Sequence, residues 1–149
     1  MNIDLLKEMI KRHEGLRLKP YPCSQKHLTI GYGWNLDNDL PSDIASYLRV
    51  TGEITRGMAE RLLNISIDTA TRQAWSIFPQ FGGFSENRQM ALIDFIFNVG
   101  VGTALKFRKA LAAIEKGDWN RAADEMFLSR WREQVGDRAA EIIGMIRTG

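Results

Sequence analysis

Hydrophobic positions recur at helical spacing over most of the chain, and one early stretch breaks the rule. Ile3, Leu6, Met9, Ile10 and His13 form one face of an amphipathic helix, with Asp4, Lys7, Glu8 and Lys11 on the other side. Gly15 is the natural stop and leaves Glu14 at or just beyond the last turn. Between residues 16 and 36 polarity partly alternates, two prolines intervene, and Gly31 and Gly33 lie close together. That stretch predicts a small antiparallel β element of short strands and turns. Helical spacing then returns. Pro41-Ser42-Asp43 starts a short helix through about Tyr47. Thr55 caps a long helix containing Met58, Leu62, Ile65, Ala70, Ala74 and Ile77, ended by Pro79. Ser85 caps another, in which Met90, Ala91, Leu92, Ile93, Phe95, Ile96 and Phe97 are apolar on almost every side. Such a helix belongs at the buried centre of a helical lobe. Gly100 and Gly102 end it. Further helices are predicted over 104–116 (stopped by Gly117), 119–128 (capped by Asp118) and 138–147 (capped by Asp137).

Strands confined to one early block imply an α+β fold, predominantly α-helical. The expected organisation is one domain over 1–149. It has a small lobe at about 15–55, a connecting helix at about 56–77, and a helical lobe of about 1–13 plus 78–149. A ligand cleft is expected between the lobes. Composition changes this picture little. A chain of 149 residues with 44% hydrophobic content buries a core without help from disulfides or metal. Twenty Lys and Arg against 18 Asp and Glu give +2, with the cations scattered, which argues against a nucleic-acid partner. Cys23 is the one cysteine, which excludes an intrachain disulfide and a zinc site of several thiolates. His13 and His27 are too few for an imidazole-rich metal site, and no cofactor is implied. No apolar run reaches the ~18–20 residues that span a bilayer. The N-terminus lacks a signal-peptide core. Synthesis in the cytoplasm, without stable membrane association, is therefore expected, and a monomer is the default.

Three side chains stand out for chemistry. Glu14, at the negative end of a helix dipole, is disfavoured as an anion and so suited to holding a proton for donation. Arg17 is placed to orient that carboxyl through a charged hydrogen bond. Cys23 and Thr29 follow at nine and six residues. A carboxyl, a thiol and a hydroxyl converging on one cleft can bind and activate water. Each also has a plainer reading: Glu14 as an exposed residue before a helix stop, Cys23 as packing, Thr29 as a strand residue. Asp37 and Asp39 read as turn formers.

The run His13-Glu14-Gly15-Leu16-Arg17-Leu18-Lys19, then Tyr21, Cys23 and Thr29-Ile30-Gly31-Tyr32-Gly33, resembles the bacteriophage lysozymes of glycoside hydrolase family 24. Glu14, Cys23 and Thr29 match the family spacing without a gap. Asn87-Arg88, Phe97-Asn98-Val99-Gly100, Ser129-Arg130-Trp131 and Arg138 through Gly149 are similar to later family segments, whereas about 40–80 matches mainly in helix pattern. The resemblance implies a lysozyme-like two-lobed fold. It also implies hydrolysis of the β-1,4 bond between N-acetylmuramic acid and N-acetylglucosamine in peptidoglycan. Glu14 would be the general acid, and Cys23 (more often Asp in the family) and Thr29 would hold or activate water. Arg17 and Asn35 would support the site, Arg138 would hold Glu14, and Phe97 and Asn98 would line the substrate cleft. The same resemblance implies holin-type release to the cell wall. Cys23 departs from the commoner pattern in a way that matters, because an ordinary thiol is only about 3% thiolate at pH 7. A thiolate base or nucleophile, a neutral thiol filling the site, and loss of activity all remain open. Trp34 replaces the His of many relatives and either stacks on sugar or packs under the small lobe.

Overall fold

The computed structural model describes residues 1–23 and 27–149. The part of the predicted β stretch over 24–26 lies outside the described residues. The fold is α+β and predominantly helical, as the periodicity predicts, and it divides into two compact units.

The first unit is Lys7–Asp68. It contains most of α1 (Ile3–Glu14) and then a three-stranded antiparallel sheet in the order β1 (Arg17–Pro22), β2 (Leu28–Gly31), β3 (Trp34–Asn35). Tyr21 pairs with Thr29 and Pro22 with Leu28, while the β1–β2 register shifts between Arg17 and Tyr21. Thr29 also pairs with Asn35 across β3. The turn between β2 and β3 requires Gly33, whose φ of +81° is costly for any residue with a Cβ. Next come α2 (Ser42–Thr51) and the start of α3 (Arg56–Ile77). Ile30, Ile44, Ile54, Ala59 and Leu62 form the core of this unit, with Leu16, Leu18, Trp34 and Met58 packed against it. Thr55 caps α3 as expected, accepting from the Met58 N–H at 3.1 Å. By contrast, α2 runs past Tyr47 to Thr51, where Gly52 stops it in the left-handed conformation. Ile65, counted on the apolar face of α3, is exposed.

The second unit is Met1–Leu6 with Thr69–Gly149. Its centre is α4 (Glu86–Val99), in which every residue from Met90 to Ile96 is buried. Ser85 caps it by accepting from the Arg88 N–H. Around it lie α5 (Val101–Ala104), α6 (Arg108–Glu115), α7 (Trp119–Phe127), α8 (Arg130–Val135) and α9 (Asp137–Thr148). The rings of Phe95, Phe107 and Trp131 meet edge to face at 4.9–6.3 Å between centroids. Four expectations need correction here. Gly102 lies inside the one-turn α5 rather than ending a helix, and α6 begins at Arg108 rather than 104. The six residues of α8 are too few for periodicity to reveal, although Ser129 caps them. Asp137 is the first residue of α9, not its cap, and Gly136 precedes it.

Candidate active site

The site is built where α1 gives way to the sheet. Gly15 leaves the helix at φ +71°, its N–H donating to the Lys11 carbonyl at 2.9 Å. The Glu14 carboxyl is therefore carried on the last turn, half-buried. It lies directly on the backbone of Gly33: a Cβ at that position would stand 2.7 Å from Glu14 Oε2 and 2.8 Å from Cδ. Gly33 thus serves twice, in the turn and as the seat of the acid.

The β1–β2 ladder brings in the other groups. The Cys23 N–H donates to the His27 carbonyl at 2.8 Å, extending the Tyr21–Thr29 and Pro22–Leu28 pairing by one position. Directly opposed residues of an antiparallel pair project from the same face, as do residues two apart on one strand. Tyr21, Cys23, His27 and Thr29 therefore share a face, and Asn35, opposite Thr29, shares it too. Thr29 is 5% exposed and its hydroxyl donates to the His27 carbonyl at 3.2 Å. With its proton so used, the Thr29 oxygen is left as an acceptor for water or substrate. Cys23 is half-buried. Asn35 Oδ1 accepts from the Asp37 N–H at 2.8 Å, while Asp37 Oδ2 faces His27 Nδ1 at 3.1 Å in solvent. Asp37 therefore lies in the turn, but the side chain that closes the turn is that of Asn35, and the Asp37 carboxylate meets His27 instead.

Arg17, expected to orient the acid, places its guanidinium 5.0 Å from the centroid of the Tyr21 ring. Burial pushes the Tyr21 phenol above its ordinary range, and the charges of Glu14 and Cys23 push the same way. Only Arg17 pulls it down. Trp34 packs against the core of this unit with its indole N–H buried and unpaired among the described residues.

The other expected site residues belong to the helical unit. Phe97 and Asn98 lie half-buried in the last turn of α4. Asn98 Oδ1 accepts from Trp131 Nε1 at 2.7 Å. Arg138, near the start of α9, donates from Nε and Nη2 to Asp94 Oδ1 at 2.9 and 2.6 Å, with both side chains buried. Sequence reasoning missed Asp94, although a lone carboxylate in an otherwise apolar helix was a usable signal. Among the described residues no group of three His, Cys, Asp or Glu side chains is arranged to hold a metal ion. No helix among them is long and apolar enough to cross a membrane.

Comparison with known proteins gives a consistent result. The sequence model of the phage lysozyme family matches residues 11–147. The chain is 28% identical to probable T4-type lysozyme 1 of Dictyostelium discoideum, over 99% of this chain and 96% of that protein. It is 29% identical to the endolysin of Acyrthosiphon pisum secondary endosymbiont phage 1, over 93% and 86% respectively. A 32% identity to the pre-baseplate central spike protein of Enterobacteria phage T4 covers 95% of this chain and 27% of that longer one.

Proposed function

The chain belongs to the phage lysozyme family, and from that premise we propose that it is an endolysin-type muramidase. In this reading it hydrolyses the β-1,4 bond between N-acetylmuramic acid and N-acetylglucosamine in bacterial peptidoglycan. Glu14 donates its proton to the glycosidic oxygen as the bond to the anomeric carbon breaks. Thr29 and Cys23 hold the water that attacks that carbon, Thr29 as acceptor through an oxygen whose own proton is already committed to the His27 carbonyl. Arg17 and Asn35 support the acid and the sheet. Phe97 and Asn98, in the helical unit, are the further residues proposed for saccharide contact.

The observation that carries the reading is the seat of Glu14 on Gly33, in the same compact unit as the sheet face bearing Cys23 and Thr29. The Glu14 carboxyl is carried at a helix end against the bare backbone of Gly33, which fixes where it can stand. That is what a general acid requires to meet one oxygen of a polymer. Clearing of a peptidoglycan suspension tests it. Glu14→Gln should slow clearance by about 10²–10⁴-fold, the usual worth of a general acid. Mass spectrometry of the released fragments should show reducing muramic ends. Equal clearance by the variant, or none by the wild type, overturns the proposal; anhydromuramic ends would make the enzyme a transglycosylase instead.

A further inference from the structure

We propose that Lys11 is a positioning residue of this site: together with Glu60 it pins the Gly31-Tyr32-Gly33 turn on which the Glu14 carboxyl rests. The inference rests on the lysozyme reading above and extends its machinery one step away from the reacting atoms. The geometry forms a closed circuit within the unit of residues 7–68. Lys11 and Glu14 are three residues apart on α1 and so are neighbours on its surface. They meet consecutive residues of the same turn. The Lys11 ammonium stands over the Tyr32 ring, 5.4 Å from its centroid, and the Glu14 carboxyl lies against the backbone of Gly33. From α3, Glu60 Oε1 accepts from Lys11 Nζ at 2.8 Å, so a third element fixes where the ammonium stands.

The turn needs such an anchor. Gly31 and Gly33 both lie in the left-handed region, at φ +66° and +81°, and neither has a side chain to hold. Glycine backbone is the freest to move, so Tyr32 supplies the one side chain by which these three residues can be fixed. Its ring packs against the core of the unit, and the cation over it ties the turn to α1, the helix that carries the acid. An ammonium within about 6 Å of a ring centroid is drawn to the ring face. The Glu60 carboxylate keeps that ammonium from swinging into solvent. The same hydrogen bond is the main reason that Lys11 holds its proton above the ordinary lysine range, so the link stays charged through neutral pH. Lys11 touches no reacting atom; it acts through the turn. A turn displaced by part of an ångström would carry the acid off the glycosidic oxygen.

Lys11→Met keeps most of the stem and removes the ammonium. On solubilised peptidoglycan its kcat should fall about fivefold, the order that one ion pair and one cation–π contact are together worth at a part-exposed site, with KM essentially unchanged. Lys11→Arg can keep both contacts and should recover most of that loss. A second readout does not depend on turnover. The Gly33 amide resonance should shift as Glu14 titrates and lose that shift in Glu14→Gln. In Lys11→Met the shift should shrink, because the carboxyl no longer rests steadily on Gly33, and in Lys11→Arg it should persist. A merely structural role would lower the melting temperature and leave both kcat of the folded enzyme and the Gly33 shift alone. Wild-type kcat in Lys11→Met, or a Gly33 shift that is absent from the wild type or unaffected by Lys11→Met, overturns the inference. If Lys11→Met does not fold, Glu60→Gln, which releases the ammonium from its carboxylate, decides by the same two readouts. Failure of the wild type to clear peptidoglycan would instead overturn the lysozyme reading, while the Gly33 resonance would still report whether Lys11 holds the turn.

Discussion

The two units treat their carboxylates in opposite ways. In the unit of residues 7–68, Glu14 sits half-buried at a helix end with glycine backbone for a floor, among side chains that can give and take hydrogen bonds. In the helical unit, Asp94 is 0% exposed in the middle of an apolar helix and takes N–H bonds from Nε and Nη2 of the buried Arg138. An acid that trades protons with a substrate needs access and an adjustable environment. A fixed anion in a helical core needs a permanent counter-charge. The first arrangement keeps a positioned acid open to chemistry, and the second fixes a charge pair inside the fold.

Removing one member of the buried pair is the severest way to test the contrast. Asp94→Ala takes from the buried Arg138 guanidinium the carboxylate that accepts from its Nε and Nη2. Breaking a buried pair from one side costs about 3–5 kcal/mol. Urea unfolding should show that loss as a fall in midpoint at unchanged slope. The double replacement Asp94→Leu/Arg138→Met removes both charges together and should recover most of the lost stability, because a well-packed apolar pair often matches an ion pair. If the double variant is no more stable than Asp94→Ala, the pair is not acting as a closed ionic unit.

Gly33→Ala makes the corresponding test on the other unit, with a smaller cost to stability. The new methyl group would have to share space with Glu14 Oε2, only 2.7 Å from its ideal position, at a backbone φ of +81°. The conformational penalty is about 1–2 kcal/mol, and displacing the acid by part of an ångström should cost about 100-fold in clearance rate. Activity should therefore collapse in a protein that still folds at room temperature. Wild-type clearance by the Gly33→Ala enzyme would show that the seat is not needed, and the contrast with Asp94 would lose its catalytic half.

Some of this organisation was readable from the chain and some was not, for physical reasons. α1, α3, α4 and α7 announce themselves through helical spacing and local caps such as Thr55, Ser85 and Asp118. The motif holding Glu14, Cys23 and Thr29 spans one helix end and two strands, so local spacing suffices to put them in one unit. What spacing does not carry is register. The irregularity between Arg17 and Tyr21 decides which β1 residue faces Thr29, and nothing in the residue types forecasts where it falls. Arg138 and Asp94 are 44 residues apart and Trp131 and Asn98 are 33 apart, so those pairings come from helix packing alone. α5 and α8 are too short to show a period.

An ion pair at the opposite extreme of burial sharpens the comparison most gently. Asp43, in the first turn of α2, accepts two bonds from Arg61 on α3, at 2.6 and 3.2 Å. Asp94 too accepts guanidinium N–H bonds, but here both partners stand in solvent. The bond from Arg61 is the main reason that the Asp43 carboxyl is held below its ordinary value of 3.8. A carboxyl whose value is depressed by folding binds fewer protons in the native state than in the unfolded one. Its contribution is therefore complete above the unfolded value and is lost as pH falls through the folded one. Melting of Asp43→Asn beside the wild type should show a small constant gap above about pH 5 that closes on further acidification. Added salt should narrow the gap at any pH, because exposed charges are screened within about 10 Å at 0.1 M. The Asp94→Ala deficit should respond much less to salt, since buried pairs are screened far less than exposed ones. Equal salt sensitivity in the two variants would mean that burial is not what separates them, and that guanidinium geometry alone sets the strength of both.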